Sequence, residues 1–480
     1  MESEGSTPKP EAKCTFVDFD GPDDPLHPYN WPVWKRRLIS ALLAISTMFV
    51  AMASSIFATA IPAIMVAEDL SREVSTLGVS LYVLGFATGP IIWASFSELK
   101  GRYLPNTVSL FGFIVFSFAA ARSGHDVASV FICRYFAGFF GAGPLTLTGA
   151  TFSDMFPPQE VGTLMTLYSL TVFLGPLLSQ PIGGFIILNK SLGWQWTEYL
   201  PGILGSAAFL ALLFIQQESY HPVILARKAD RLRRETGDWS IISKHDTIAI
   251  EPRVIVRDFL LLPLRMLVKD PIVLCMCTFG SFVYGLLYLF LTAYPAIFQK
   301  VHQMNSGVGG LPYLGIMVGQ LIYVASNIVF RNTWIMPRLK QNQFQMVPEW
   351  NLPMAIPGAA AFSAGLFWLG WSGYKASIHW IVPTASGILT GFGLLAMFVP
   401  SISYVVTARQ KRAASAVAAH AFLRSLFGAV FPLFSTFMFQ NLGIQWACTL
   451  LGCIAALMLP IPVGLYVYGA RIRAKVKIEY

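Results

Sequence analysis

Twelve stretches of this chain are each apolar over about 20 residues, the length a helix needs to cross a hydrocarbon core. They begin near Leu38, Val74, Pro105, Ala128, Val161 and Thr197, then near Pro271, Gly309, Pro353, Ile378, Ala413 and Trp446. Lipid offers backbone N–H and C=O groups no partners, so such runs are confined to helices. The chain is therefore expected to be an all-α membrane protein of twelve transmembrane helices in two six-helix bundles. Residues 1–36 read as a disordered cytosolic tail and 37–215 as the N-terminal bundle. A polar stretch, 216–269, follows as a cytosolic central loop, then a C-terminal bundle over 270–469 and a cytosolic tail over 470–480. Only 12% of the residues are charged, where a soluble domain carries about a quarter, so most of the surface must face something other than water. No apolar core precedes Leu38, so the first helix is expected to act as its own insertion signal.

Charge gives the orientation. With both termini inside, 27 of the 34 Lys and Arg fall on cytosolic segments and five outside, at Arg72, Arg122, Lys190, Lys300 and Lys375. That asymmetry follows the positive-inside rule, and it assigns the net charge of +9 to membrane orientation and not to nucleic acid. The six cysteines are scattered, and Cys275 and Cys277 point to different sides of one helix, so no metal site is implied.

Four segments stand out. Between the second and third spans, Glu98-Leu99-Lys100-Gly101-Arg102 sets a glycine turn between opposite charges at helix ends. Arg134 lies inside the fourth span, where an arginine is costly and normally faces a cavity or partner, beside the small residues Gly138, Gly141 and Ala142. The fifth span carries Gly175-Pro176 and Gly183-Gly184, which allow bending and close helix contact. Span 11 holds His420 and Arg424.

These stretches resemble signatures of the major facilitator superfamily, and of its fungal drug:proton antiporter branch in particular. Gly89 to Arg102 is similar to the Gly-x-x-x-Asp-x-x-Gly-Arg loop, with Ala94 for the leading glycine and Tyr103 for the second basic residue. Arg134 to Pro144, continuing through Ser153-Asp154-Met155-Phe156-Pro157, looks like the segment whose arginine is linked to proton coupling. Gly175 to Gly184 resembles Gly-Pro-x-x-Gly-Pro-x-x-Gly-Gly, with Ser179-Gln180 at the middle pair. Further departures are Gln195 for a usual arginine, Thr407 for an aspartate and His420 for an asparagine. The resemblance implies the major facilitator fold and coupling or gating roles for Glu98, Gly101, Arg102, Arg134, Asp154, Gly175, Pro176, Gly183, Gly184, His420 and Arg424.

The spans hold no Asp or Glu away from their ends. Glu68, Asp69, Glu198 and Glu218 are all expected near interfaces, although proton-driven carriers commonly use an embedded carboxylate. Glu98, Asp154 and His420 are left as proton carriers. The aromatic spans suit an apolar or amphiphilic substrate, with Phe57, Tyr284, Tyr288 and Phe398 placed in the substrate cavity. The expected function is export of a drug, toxin or secondary metabolite by proton antiport, the alternatives being a polyamine or other organic-solute carrier of the same fold and a non-transporting receptor. No catalytic signature occurs, and no cofactor is expected beyond the proton gradient. The partners are then protons, a hydrophobic small molecule and the lipid bilayer. A monomer is expected in the plasma membrane, with the vacuolar membrane as alternative.

Overall fold

In a computed structural model, residues 15–124, 126–189, 191–243 and 261–475 are described. The first six helices are α1 (Val33–Ala67), α2 (Arg72–Lys100), α3 (Tyr103–Arg122), α4 (Val127–Met155), α5 (Pro158–Leu188) and α6 (Trp196–Ile215). Two shorter helices follow, α7 (His221–Thr236) and α8 (Leu262–Lys269). The second half contains α9 (Pro271–Tyr294), α10 (Tyr313–Phe330), α11 (Ala355–Gly373), α12 (Ile381–Ala408), α13 (Ala413–Met458) and α14 (Pro460–Lys475).

Local chemistry sets these boundaries. Ser71, Asp126 and Asp270 each accept a first-turn N–H of the helix that follows, which satisfies donors that lipid could not. Pro158 and Pro271 open α5 and α9, where a missing N–H costs nothing. Span onsets fall within a few residues of the apolar runs. The last two expected spans are joined: α13 continues through Gly443, whose φ of 73° breaks the helical path in a single residue. Counting either side of that break, the membrane is crossed twelve times.

Three expected boundaries are corrected. Span 1 begins at Val33, ahead of residue 37, because the Pro32 backbone can enter a helix at once. The final helix runs on through Lys475, past residue 469. Part of the supposed disordered tail is placed: Thr15–Phe16 (β1) pairs in parallel with Ile241–Ile242 (β2), and residues 17–32 lie against α7. Lys228 of α7 meets the carboxylates of Asp20 at 2.7 Å and Asp24 at 3.5 Å, and the rings of Phe19, His27, Tyr29 and His221 pack together at tilted and edge-on angles. Residues 1–14 and 244–260 lie outside the described residues.

Each half closes on itself before it meets the other. In the first, α2 packs on α4, α1 on α5 and α3 on α4 and α6; in the second, α9 packs on α13 and α12 on α10 and α11. The halves join where α2 runs along α13 and α5 along α10. The face that carries the start of α1, the end of α14, α7 and α8 is called here the basic face, and the opposite one the far face.

Candidate functional site

Arg134 lies seven residues into α4 from the far face, about 10 Å deep. Its side chain is fully buried, and so is Glu198 at 1% exposure, the third residue of α6. The guanidinium Nη1 donates to Glu198 Oε1 at 3.0 Å and to the Ala53 carbonyl at 2.8 Å. Nη2 reaches the Ser54 carbonyl at 3.2 Å and Nε the Gly78 carbonyl at 3.0 Å. The cation is stacked between the rings of Phe57 and Tyr82, at 4.8 and 4.5 Å. Glu198 is therefore not an interfacial acid, as its place near a helix end suggested, but an embedded one. A buried guanidinium left without a counterion would cost several kcal/mol, and α6 supplies that counterion.

The chain of contacts continues across the boundary between the halves. Ser54 Oγ and Tyr288 Oη share a hydrogen bond of 2.7 Å, and Tyr288 Oη lies 3.5 Å from Tyr284 Oη. Tyr284, Phe398 and Phe173 pack edge and face into a plug at this level. Arg424, eleven residues into α13, stands over Tyr284 at 5.2 Å and Phe398 at 5.6 Å. His420, one turn earlier, shares a 3.1 Å hydrogen bond with Ser401 and presses on Gly280, inside the second half.

On the far-face side of the plug is a cavity of about 620 Å³ between α1, α2, α5, α9 and α13. Its wall includes Thr59, Arg72, Val79, Gln180, Lys300, Tyr313 and Gln440. None of the four aromatics expected in a substrate cavity lines it: Tyr284, Tyr288 and Phe398 form the plug beneath, and Phe57 covers Arg134. The halves also touch on both sides of the plug. Toward the far face, Ser306 Oγ donates to the Gly184 carbonyl at 3.1 Å; toward the basic face, Asn327 Nδ2 donates to Thr166 Oγ1 at 2.9 Å.

The glycines of α5 serve these contacts. A Cβ at Gly175 would meet the α1 backbone at Met48 and Met52, and one at Gly183 would meet Thr59 and Ile56. Gly184 lies against the Ser306 backbone of the other half. Pro176 and Pro181 lie inside the helix, and the Pro176 carbonyl accepts from Ser179 Oγ.

At the basic face, Arg102 Nε donates to Asp154 at 2.9 Å, Nη1 to Ser97 Oγ at 2.7 Å, and the guanidinium covers the Tyr220 ring. Gly101 turns with φ of 86°, and a Cβ there would strike the Glu218 carboxylate. Glu218 accepts the backbone N–H groups of Arg102 and Tyr103 at 2.8 and 3.2 Å, an acceptor role that the sequence pattern did not single out. Glu98 sits half-buried in the last turn of α2, and no ion pair with Arg102 forms; Asp154 takes that place. In the second half the comparable pairs are Arg409 with Asp270 at 2.6 Å and Arg473 with Glu349. Thr407 bonds Asn351. No group of His, Cys, Asp and Glu among the described residues could hold a metal ion.

The sequence model of the Major Facilitator Superfamily matches residues 43–432. The major facilitator superfamily multidrug transporter FLU1 of Candida albicans is 42% identical over 97% of this chain and 76% of its own length. The ascochitine biosynthesis cluster MFS transporter of Didymella fabae is 39% identical over 98% of this chain and 90% of its own. Among solved structures, the proton:xylose symporter XylE superposes with a TM-score of 0.65 over 90% of this chain and 96% of its own, at 16% identity. The human organic anion transporter MFSD10 gives 0.63 over 89% and 99%, at 15% identity.

Proposed function

The chain belongs to the Major Facilitator Superfamily, and on that premise we propose that it exports hydrophobic or amphiphilic small molecules by proton-driven alternating access. The printed names of its 39–42% identical relatives, a multidrug transporter and a metabolite-cluster transporter, support the substrate class. The orientation that charge supports puts the basic face in the cytosol and the far face outside, in the plasma membrane, with the vacuolar membrane as the other setting. The working unit is a monomer that uses no cofactor and draws on the proton gradient. A polyamine would need acidic groups along the cavity, and none lines it.

One observation carries the mechanism: the contact chain that starts at Glu198 and ends on the plug. Gly78, whose carbonyl holds Arg134, adjoins Val79 in the cavity wall, so a proton entering from the far face arrives beside the ion pair. Protonation of Glu198 cancels the charge that holds Arg134. Released from Glu198, Arg134 moves and alters the bonds it already makes to the Ala53 and Ser54 carbonyls, and the adjoining Ser54–Tyr288 bond between the halves is disturbed. With that bond broken the plug parts and the halves rock about the α2–α13 and α5–α10 seams. Arg102, Asp154, Glu218 and Gly101 latch the basic face of the first half while the far face is open.

The test is accumulation of labelled hydrophobic compounds in pump-deficient yeast expressing the chain, at two external pH values. The expected result is lower accumulation, more strongly at acidic external pH. Unchanged accumulation of every compound, with the protein present at the cell surface, would overturn the exporter reading.

A further inference from the structure

We propose that the preferred substrate is an organic anion: a flat apolar body bearing a carboxylate, sulfonate or similar group. This inference rests on the exporter reading above.

Charge along the route between the halves carries the argument. Four buried or half-buried arginines have acids: Arg134 has Glu198, Arg102 has Asp154, Arg409 has Asp270 and Arg473 has Glu349, while Arg36 at the basic face has the Met155 carbonyl and the Phe156 ring instead. Two arginines at the seam have no acid either. Among the described residues no carboxylate lies within ion-pair distance of Arg331 or Arg424, and each has a buried Nε without an acceptor. Arg331 follows α10 and lays its guanidinium on Gly162 of α5, so it faces the other half. Arg424 points at the plug rings. The far-face cavity adds Arg72 and Lys300 to its wall and has no Asp or Glu there. Positive charge is thus presented at three levels between the two faces.

The embedded acid does not alter this balance, because Glu198 is neutralised by Arg134 at 3.0 Å. Glu98 is in the last turn of α2, fifteen residues and about 22 Å of helix beyond Val83, which contacts Gly428 beside the plug. A guanidinium near the membrane centre without a counterion is expensive, and contact with two ring faces offsets only part of that cost. A cationic substrate would raise it further, and a neutral one would leave it standing. An anion supplies the missing acceptor through a charge-assisted, two-pronged bond, while its apolar body stacks on Tyr284 and Phe398.

The experiment reconstitutes the full chain in lipid vesicles with a pH gradient. Three membrane-impermeant or slowly permeant probes share one ring system: 2-naphthalenesulfonate, a neutral 2-naphthyl glucoside and a naphthylmethyl-trimethylammonium ion. The expected result is transport of the sulfonate about tenfold faster than the ammonium ion, a preference worth about 1.4 kcal/mol. Arg424→Gln removes that ratio, Arg424→Glu inverts it and Arg424→Lys keeps its sign. Thermal melting of each purified variant reports folding, and a sulfonate-dependent rise in melting temperature in wild type, absent in Arg424→Gln, supports the assignment without any turnover. Transport of the ammonium or neutral probe in preference to the sulfonate overturns the anion inference and leaves the exporter reading intact. Movement of none of the three, nor of a lipophilic dye, overturns the exporter reading and this inference with it.

Discussion

The two halves share one helical plan but treat a membrane-embedded arginine in opposite ways. In the first half Arg134 is sealed between two rings, three backbone carbonyls and Glu198. In the second, Arg424 has two rings and no acid. A sealed pair responds to one small event, the arrival or loss of a proton. An open cation responds to whatever acceptor comes within reach. The difference suggests a division of labour, in which the first half senses the gradient and the second half holds the substrate, with Ser54 and Tyr288 as the joint between them.

The largest effect is expected from breaking the sealed pair. Arg134→Ala leaves Glu198 buried without a counterion, a loss of about 3–5 kcal/mol, and transport is abolished. The double variant Arg134→Met, Glu198→Leu removes both charges and should regain most of the thermal stability while staying inactive. Melting of purified protein in detergent, read beside efflux, distinguishes the two. Arg424→Ala strands no acid and relieves an unpaired cation, so the lost aromatic contact, about 1 kcal/mol, is the most it should cost. Equal melting temperatures for Arg134→Ala and Arg424→Ala would remove the distinction between the halves.

A subtler substitution isolates the proton. Glu198→Gln keeps size and hydrogen bonding to Arg134 but cannot take up a proton at neutral pH. The expected outcome is efflux that no longer accelerates when a pH gradient is imposed, with about a hundredfold loss of gradient-driven rate, equivalent to about 2.7 kcal/mol. If the variant still speeds up with the gradient, the proton site is elsewhere, and Asp154 and His420 are the next residues to test.

Much of this arrangement was legible in the chain. Twelve apolar runs are enough for the helices, because lipid allows so few alternatives, and the lopsided distribution of Lys and Arg supports one direction over the other. Arg134 announced itself as a residue needing a partner. What the sequence pattern hid was the partner: Glu198 is two residues into α6, where depth along a helix looks interfacial, and only the way α6 packs on α1 and α3 turns it inward. The basic-face cluster was legible as a motif, but the pairing inside it was not, since Arg102 takes Asp154, fifty-two positions away, and not Glu98, four away. Tyr284, Tyr288 and Phe398 were picked out by residue type, as cavity residues, and Phe173 was not; their place beneath the cavity depends on the register between α1 and α9, which no local pattern encodes. Residues 17–32 looked like a free tail because polar composition does not reveal that Lys228 and His221 wait on α7.

The latch and the clasp extend the comparison to the basic face. At Gly101, φ of 86° with ψ of −171° is a conformation that essentially only glycine adopts, at a cost of about 1–3 kcal/mol to any other residue, and a Cβ would also strike Glu218. Gly101→Ala should therefore lower the melting temperature measurably and slow efflux by loosening the turn that presents Arg102 to Asp154. A wild-type melting temperature in that variant would mean that the turn has a different, compatible shape.

The smallest effect concerns the segment that clasps α7, a feature without a counterpart among the described residues of the second half. Burial beside His221 holds the His27 imidazole below its usual range, so the docked form disfavours its proton. Asp24 is held low by the backbone N–H groups of Asp20 and Leu26, with Lys228 adding to them. Both shifts act in the same direction: the released segment binds more protons than the docked one, so docking weakens as pH falls. The histidine acts first, below its ordinary value of 6.5, and the aspartate only near 3.8. Amides of residues 17–31 should exchange faster at pH 5.5 than at pH 7.5, after correction for the intrinsic rate, while amides of α9 hold steady. His27→Phe keeps the ring contacts and removes the proton site, so it should flatten that difference. Equal protection at both pH values in wild type would show that the clasp holds without regard to His27, and would make it a fixed brace of the first half.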